Sequence, residues 1–191
     1  MVNLKDLSFS NLEVFDYQTA LQILTENAFV ENDKNEKIAI FVVGPNGSGK
    51  STLIANLYKG NRTDIPYINA DILALKLPNE NIYSIAGKTI ELIKEKIQKG
   101  QSFVYETVFS DLNKLELARL AKSAGFKLIC IAVTTSSPEI NINRVSKRVS
   151  QGGHNVPEEK IIMRYSKSLN NINTLKPLCD KFILLDNSLD R

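Results

Sequence analysis

The most informative stretch of the chain is a glycine-rich octapeptide, GPNGSGKS, at residues 44–51. It matches the pattern G-x-x-x-x-G-K-[ST] at every fixed position, and such glycines let successive backbone N–H groups point inward at phosphate oxygens. In a loop of this kind Lys50 reaches the β- and γ-phosphates, while the hydroxyl of Ser51 ligates Mg²⁺. The motif therefore predicts a site for ATP and Mg²⁺. The residues expected to form it are Gly44, Pro45, Asn46, Gly47, Ser48, Gly49, Lys50, Ser51 and Thr52.

Polar side chains follow two further strand-like segments of the sequence. Asp71 comes just after residues 66–69, and Glu106 and Thr107 end the apolar run that starts at Phe103. Ligands of open α/β sheets gather at the carboxyl ends of the strands, so all three side chains are candidates for a site. Asp71 suits a base that accepts the proton of an acceptor hydroxyl, or alternatively an N-cap of the following helix. Glu106 suits binding of acceptor hydroxyls or of Mg²⁺-bound water, or alternatively a surface acid beyond the strand.

A basic segment lies in the C-terminal third, where residues 139–167 hold six lysines and arginines against three acids. Arg144 and Arg148 are four residues apart on one predicted helix, with Lys147 beside them, and Arg164 lies on the next helix. Arginine binds two phosphate oxygens at once while staying charged, so these arginines are expected to form a lid over the phosphates. The alternative is a solvated basic face that pairs with nearby acids.

Repeated strand and helix patterns must position these groups. Short apolar, β-branched runs predict five strands, at residues 37–43, 66–69, 102–106, 126–134 and 181–185. Helical periodicity appears between them, for example over residues 81–99, which stop at Gly100. Parallel strands need crossover connections that pass over a face of the sheet. The pattern predicts an α/β fold with a parallel five-stranded sheet and helices on both faces.

Length and composition limit the remaining possibilities. A chain of 191 residues suits one domain, which we expect at residues 37–191, preceded by a helical extension at residues 1–36 with its helix at 11–29. No apolar run reaches the length of a membrane helix and no signal peptide is visible, so a cytoplasmic location and no membrane partner are expected. Cys130 and Cys179 lack metal or redox spacing and are expected to be packing residues.

Sequence motifs also narrow the class of P-loop protein. A guanine-binding N-K-x-D motif is missing from the sequence, as is the L-S-G-G-Q signature of ABC-type ATPases. A net charge of +3 is too small to indicate a nucleic-acid-binding protein, and the basic segment contains a single aromatic residue, Tyr165. A small-molecule kinase, which needs a base and phosphate-binding arginines, is the class that the sequence favours.

Five segments together resemble the short bacterial members of the zeta-toxin family of P-loop kinases. They are GPNGSGKST, YINADILA, FVYET, RVSKRVSQGGHNVPEEKIIMRYSKSL and LLDNS. The resemblance implies a nucleoside-kinase-like sheet and ATP-dependent phosphorylation of UDP-N-acetylglucosamine, with an antitoxin protein as an inhibitory partner.

Carried over by motif, the family's catalytic groups fall on Lys50, on Asp71 as the base, and on Arg148 and Arg164 as lid arginines. Arg144 would contact the nucleotide, while Glu106 and Thr107 would bind the acceptor. Three alternatives remain. One, of a different class, is an ATP-binding and ATP-hydrolysing module that acts by contacting a partner protein. The others are a kinase for a different small-molecule or nucleotide acceptor and a kinase for nucleic-acid ends, for which the basic segment has few aromatic residues.

Overall fold

The computed structural model describes residues 14–16, 36–59 and 65–189. The described strands are β1 (Val14–Asp16), β2 (Ile38–Val43), β3 (Tyr67–Asn69), β4 (Phe103–Thr107), β5 (Lys127–Thr134) and β6 (Lys181–Asp186). The described helices are α1 (Lys50–Lys59), α2 (Ala70–Lys76), α3 (Ile82–Gln98), α4 (Asn113–Ser123), α5 (Pro138–Ser150) and α6 (Glu158–Leu175), followed by a 3₁₀ turn (Lys176–Leu178). All strands are parallel, in the order β1-β6-β5-β2-β4-β3.

The central strand β2 has the sequence IAIFVV, and every one of its side chains is buried. Successive side chains of a strand point to opposite faces, so alternate residues of this strand pack on different helices. Phe41 belongs to a core cluster that includes residues of α3, α4 and α6. Ile40 belongs to a second cluster with residues of α1. A strand that is apolar at every position is therefore covered on both faces, as is typical of parallel sheets.

The predicted fold class is confirmed, since the five predicted strands and the helices on both faces are present. Cys130 and Cys179 are both free thiols that contribute to the core, as expected from their spacing. None of the helices in the described parts of the chain has the length and apolarity that crossing a membrane requires.

The N-terminal segment differs from the prediction. The helix expected over residues 11–29 is wrong for Val14–Asp16, which form β1 and pair in parallel with β6, Val14 opposite Leu184. The open backbone groups of β6 provide pairing partners at this side of the sheet, and tertiary pairing of this kind overrides helical periodicity. The rest of the predicted helix, and the packing of an extension over residues 1–36, lie outside the described residues.

The strand order decides which loops meet at the carboxyl ends of the strands. The glycine-rich loop, residues 44–49, follows β2 in the middle of the sheet. Loops after β5 and β6 lie to one side of it, which we name the β6 side. Loops after β4 and β3 lie to the other, which we name the β3 side. The predicted acids therefore approach the glycine-rich loop from the β3 side, and Arg144 and Arg148, on the helix after β5, approach it from the β6 side.

Candidate active site

The glycine-rich loop is held against its neighbours at positions where a side chain could not fit. Gly47 and Gly49 have positive φ angles of 77° and 101°. A Cβ at Gly47 would lie 2.6 Å from the backbone oxygen of Asn141 on α5, and one at Gly49 would lie 2.4 Å from Nδ2 of Asn187. Both glycines are therefore required by conformation and by close approach. The Asn187 amide also donates to the backbone oxygen of Ser48 at 2.8 Å, which ties the loop to the segment after β6.

Lys50 begins α1 and points back into the loop. Its side chain is buried, and its ammonium donates to the carbonyl of Pro45 at 2.9 Å. Burial lowers the pKa of Lys50 from 10.5 to about 8, although the carboxylates of Glu106 and Asp71 act in the opposite direction. The Lys50 ammonium is therefore a buried positive charge, which costs free energy, and it lies where the motif predicts phosphate oxygens.

Nucleotide binding is expected to take up a proton at this lysine. At pH 8 about half of the Lys50 amines are protonated, and phosphates beside the amine raise its pKa, so about half a proton is bound per nucleotide. Calorimetry with a non-hydrolysable ATP analogue, in two buffers of different ionisation enthalpy, measures this uptake. Lys50→Arg, which stays charged, is the matched control and is expected to remove the buffer dependence. A wild-type binding heat that is the same in both buffers would contradict the prediction.

Glu106, at the end of β4, forms the centre of a hydrogen-bonded cluster on the β3 side. Its side chain is buried, and its Oε1 accepts from the Ser51 hydroxyl at 2.7 Å. Its Oε2 accepts from the Tyr67 hydroxyl and, at 2.9 Å, from Nδ2 of Asn69. Burial, followed by the hydrogen bond to Glu106, raises the pKa of Tyr67, so the phenol remains a donor. Each carboxylate oxygen of Glu106 is therefore occupied by donors from the chain itself.

Asp71 is arranged differently. The N-cap of α2 is Asn69, whose Oδ1 accepts from the backbone N–H of Asp71 at 2.6 Å, so Asp71 lies in the first turn and does not cap the helix. Its side chain is exposed and lines the same cleft as Lys50 and Glu106. Among the described residues, its carboxylate has no hydrogen-bond donor. The cleft thus holds one carboxylate that is fully engaged and one that is available.

Two of the three predicted arginines, Arg144 and Arg148, reach the cleft, and they do so from the β6 side. Arg144 donates to the backbone oxygens of Asn187 at 2.7 Å and Leu189 at 3.1 Å. Arg148 donates to the backbone oxygen of His154 at 2.7 Å, and both arginines line the cleft. Arg164, on α6, is not part of the lining and lies nearer to Lys114. The predicted lid is therefore brought together for Arg144 and Arg148 only.

The cleft has a volume of about 630 Å³ and extends across both sides of the glycine-rich loop. The sequence-predicted residues in its wall are Asn46, Gly47, Gly49, Lys50, Ser51, Thr52, Asp71, Glu106, Thr107, Arg144 and Arg148. Gly44, Pro45 and Ser48 belong to the loop without being part of that wall. Sequence reasoning missed Tyr67, Asn69, Asp111, Lys114 and Asn187. The sequence signal that could have identified three of them is nearness to the carboxyl end of a predicted strand. Tyr67 and Asn69 lie in β3, and Asn187 follows β6.

The polar groups around the loop fit a phosphorylated ligand. Among the described residues, three buried side-chain polar atoms have no hydrogen-bond partner: Oδ1 of Asn46, Oγ of Ser48 and Nδ2 of Asn141. The hydroxyl of Ser48 and the amide of Asn141 are donors that phosphate oxygens would satisfy. All three belong to the loop or to the helix packed on it.

Comparison of the sequence with known families agrees with this geometry. A family model described as AAA domain (AAA_33) matches residues 40–169. A protein of uncharacterised function from Haemophilus influenzae is 30% identical over 131 residues, which are 66% of this chain and 91% of that protein.

Solved structures share the fold at low identity. A candidate kinase from Chloroflexus aurantiacus superposes with a TM-score of 0.57 at 20% identity, covering 81% of this chain and 90% of that one. A chain of the PezAT chromosomal toxin-antitoxin system of Streptococcus pneumoniae gives 0.62 at 17% identity, over 89% and 76%. The AvrRxo1-ORF1:-ORF2 complex with ATP gives 0.56 at 17%, over 84% and 57%. The chain therefore has a kinase-like P-loop NTPase fold and belongs to the AAA domain family whose model spans residues 40–169.

Proposed function

We propose that the chain is an ATP-dependent phosphotransferase that phosphorylates a hydroxyl of a small metabolite. The observation that carries the proposal is the pair of carboxylates beside Lys50. Glu106 is engaged by donors, whereas Asp71 lines the cleft without a donor among the described residues. An available carboxylate near a phosphate-binding lysine suits a general base, because an oxygen that accepts no hydrogen bond from the chain can accept the proton of a substrate hydroxyl.

In the proposed reaction the acceptor oxygen attacks the γ-phosphorus of ATP, and the bond from that phosphorus to the bridging oxygen breaks to release ADP. The acceptor proton passes to Asp71. Lys50 and the backbone N–H groups of the glycine-rich loop stabilise charge on the phosphate oxygens. Arg144 and Arg148 line the same cleft and are assigned to the phosphates from the β6 side.

Ser51 and Glu106 fit the environment of a magnesium ion. Mg²⁺ in such sites is bound through one or two protein oxygens, with phosphates and water completing the shell, and neutralises phosphate charge. The Ser51 hydroxyl would be the ligand, and Glu106, hydrogen-bonded to it at 2.7 Å, would hold that hydroxyl or a water of the ion's shell. A cluster of three or more candidate ligand side chains does not occur among the described residues, and this type of site does not require one.

UDP-N-acetylglucosamine is the acceptor that we propose first, on the resemblance of five segments to zeta toxins. A chain of the PezAT toxin-antitoxin system has a similar fold. The same likeness supports an antitoxin protein as a proposed partner.

Product analysis tests the function. Purified protein is incubated with Mg-ATP, with and without UDP-N-acetylglucosamine, and ADP release is measured together with the mass of the sugar nucleotide. A product heavier by one phosphoryl group is expected. If ADP release does not respond to the sugar nucleotide and its mass is unchanged, this acceptor is wrong, and a panel of other hydroxylated metabolites decides whether the chain is a kinase at all.

Tyr67 provides a sharper test of the cluster around Glu106. Tyr67→Phe removes one donor from a buried carboxylate, and we expect kcat for phosphoryl transfer to fall about tenfold because Glu106 is no longer held in place. Tyr58→Phe is the matched control, since the Tyr58 hydroxyl donates to the carbonyl of Ile65 at 2.6 Å and the two rings are neighbours. Both variants are expected to lose about 1 kcal/mol of stability. Equal kcat values in the two variants would contradict a role for Tyr67 in positioning Glu106.

A second candidate function is an ATP-binding module that acts by contacting a partner protein. It is favoured by apolar side chains at the end of α2 and the start of α3, where Leu75 is 83%, Ile82 73% and Tyr83 82% exposed. Exposed apolar groups that lie close together often belong to interaction surfaces. A chain whose biological effect survives Asp71→Asn but is lost in Tyr83→Ser would favour this candidate over the enzyme.

A further inference from the structure

Lys114 is a cation on the β3 side of the cleft that the phosphate chemistry above does not use. It lies in the first turn of α4, is half-buried and lines the cleft. Its ammonium donates to Oγ1 of Thr107 at 2.7 Å, and this hydroxyl also accepts from the backbone N–H of Phe109 at 3.2 Å. An ammonium carries three donors, so further donors remain for a ligand.

Arg164 brings a second cation to the same place. It lies on α6 one turn before Ser168, whose hydroxyl donates to the backbone oxygen of Val108 at 2.6 Å. Residues four apart share a face of a helix, so Arg164 lies on the face that covers the loop after β4. Its positive charge contributes to lowering the pKa of Lys114. Among the described residues its guanidinium makes no hydrogen bond or ion pair.

Neither Lys114 nor Arg164 forms an ion pair with an acidic side chain of the described residues. The ion pairs of the described residues all involve other side chains. Asp111 is the acid whose charge raises the pKa of Lys114, but it forms no ion pair with Lys114, and its Oδ1 accepts from the backbone N–H of Asn113 at 3.0 Å. Burial lowers the pKa of Lys114, Asp111 opposes this change, and Arg164 adds to it. Two like charges in a partly buried site are unfavourable without a counter-charge.

We propose that Lys114 and Arg164 bind a phosphate group of the acceptor, so that the substrate is a phosphorylated metabolite with a free hydroxyl. This inference rests on the proposed phosphotransferase function. Two cations match the charge of a phosphate monoester or a diphosphate better than that of a single carboxylate. Arginine and lysine both bind phosphate oxygens by charge-assisted hydrogen bonds. Lys114 lines the cleft on the same side of the glycine-rich loop as Asp71, and Arg164, outside the lining, lies on the helix that covers the loop after β4. A phosphate held at Lys114 would therefore lie in the same half of the cleft as the acceptor's hydroxyl.

Calorimetry on the full chain tests this site separately from catalysis. The protein is first saturated with Mg²⁺ and a non-hydrolysable ATP analogue, which keeps phosphate probes out of the glycine-rich loop. N-acetylglucosamine 1-phosphate is then compared with N-acetylglucosamine and with glucuronate. We expect the phosphate ester to bind at least about tenfold more tightly than the neutral sugar. Lys114→Gln and Arg164→Gln are each expected to reduce that difference to about threefold or less, whereas Lys94→Gln, an exposed lysine on α3, preserves it.

Three outcomes would overturn the inference: equal binding of the ester and the neutral sugar, glucuronate binding as tightly as the ester, or variants that weaken the ATP analogue instead of the ester. Failure of the proposed function has a different signature. In that case no phosphorylated acceptor is detected by mass spectrometry with ATP, while the preference for the phosphate ester and its loss in the variants persist.

Discussion

Asp71→Asn is expected to lower kcat for phosphoryl transfer by about 10³-fold while the chain still folds and binds ATP. The amide keeps the shape of the side chain but cannot accept the acceptor proton. Because the carboxylate is exposed and has no donor among the described residues, its loss removes no hydrogen bond. Stability is expected to fall by no more than about 1 kcal/mol, through loss of a negative charge in the first turn of α2. The negative charge of Asp71 lies close enough to Lys50 to raise the pKa of that lysine. Removing this negative charge leaves the phosphate site more positive, so the affinity for ATP should stay equal or increase.

Steady-state kinetics and thermal unfolding measure these quantities on the same samples. Glu91→Gln, which neutralises an exposed acid of α3 outside the cleft, is the matched control and should keep wild-type kcat. An undiminished kcat in Asp71→Asn would show that Asp71 is not the base. A fall in ATP affinity in place of kcat would indicate that this carboxylate acts on the nucleotide and not on the acceptor.

Lys50→Met is expected to have two effects of opposite sign, one on activity and one on stability. Activity falls by about 10³-fold, since the lysine is the cation closest to the predicted phosphate oxygens. Stability rises below pH 8, because methionine fills a similar volume without a buried charge. The pKa values of 10.5 and about 8 correspond to about 3 kcal/mol in favour of the unfolded chain.

The effect of Lys50 on the free energy of unfolding depends on pH, and the direction of this dependence follows from its two pKa values. The folded chain binds fewer protons at Lys50 than the unfolded chain between pH 8 and 10.5, so the free energy of unfolding contributed by this residue rises with pH across that window. Urea unfolding of wild type and Lys50→Met at several pH values should show the variant more stable at pH 7 and the two converging towards pH 10.5. Lys94→Met, at an exposed position, should change neither activity nor this slope. A variant that is less stable than wild type at pH 7 would show that burial of Lys50 carries no net cost.

The gain in stability expected for Lys50→Met reflects a wider property of the cleft. Charged groups are held there although burial or mutual repulsion disfavours them, as at Lys50 and at Lys114 beside Arg164. Active sites commonly give up stability in this way, because groups arranged for a ligand are not satisfied by the chain itself.

The sequence by itself determined five of the six described strands and the glycine-rich loop, because the patterns that predict them lie within short stretches of the chain. The apolar run of β2 and the spacing of Gly44, Gly49 and Lys50 are local patterns with local consequences. The same local reasoning was wrong for Val14–Asp16, where pairing with β6 outweighs helical periodicity.

Only the tertiary structure decided which side chains are free to act. Asp71 and Glu106 look alike as acids after strands, but Glu106 is engaged by Ser51, which is 55 residues away, and by Tyr67, which is 39 residues away. The N-cap falls on Asn69, which leaves Asp71 available. The approach of Arg164 to Lys114 likewise depends on how α6 packs over the loop after β4, and side chains so far apart in sequence carry no periodic signal of their proximity.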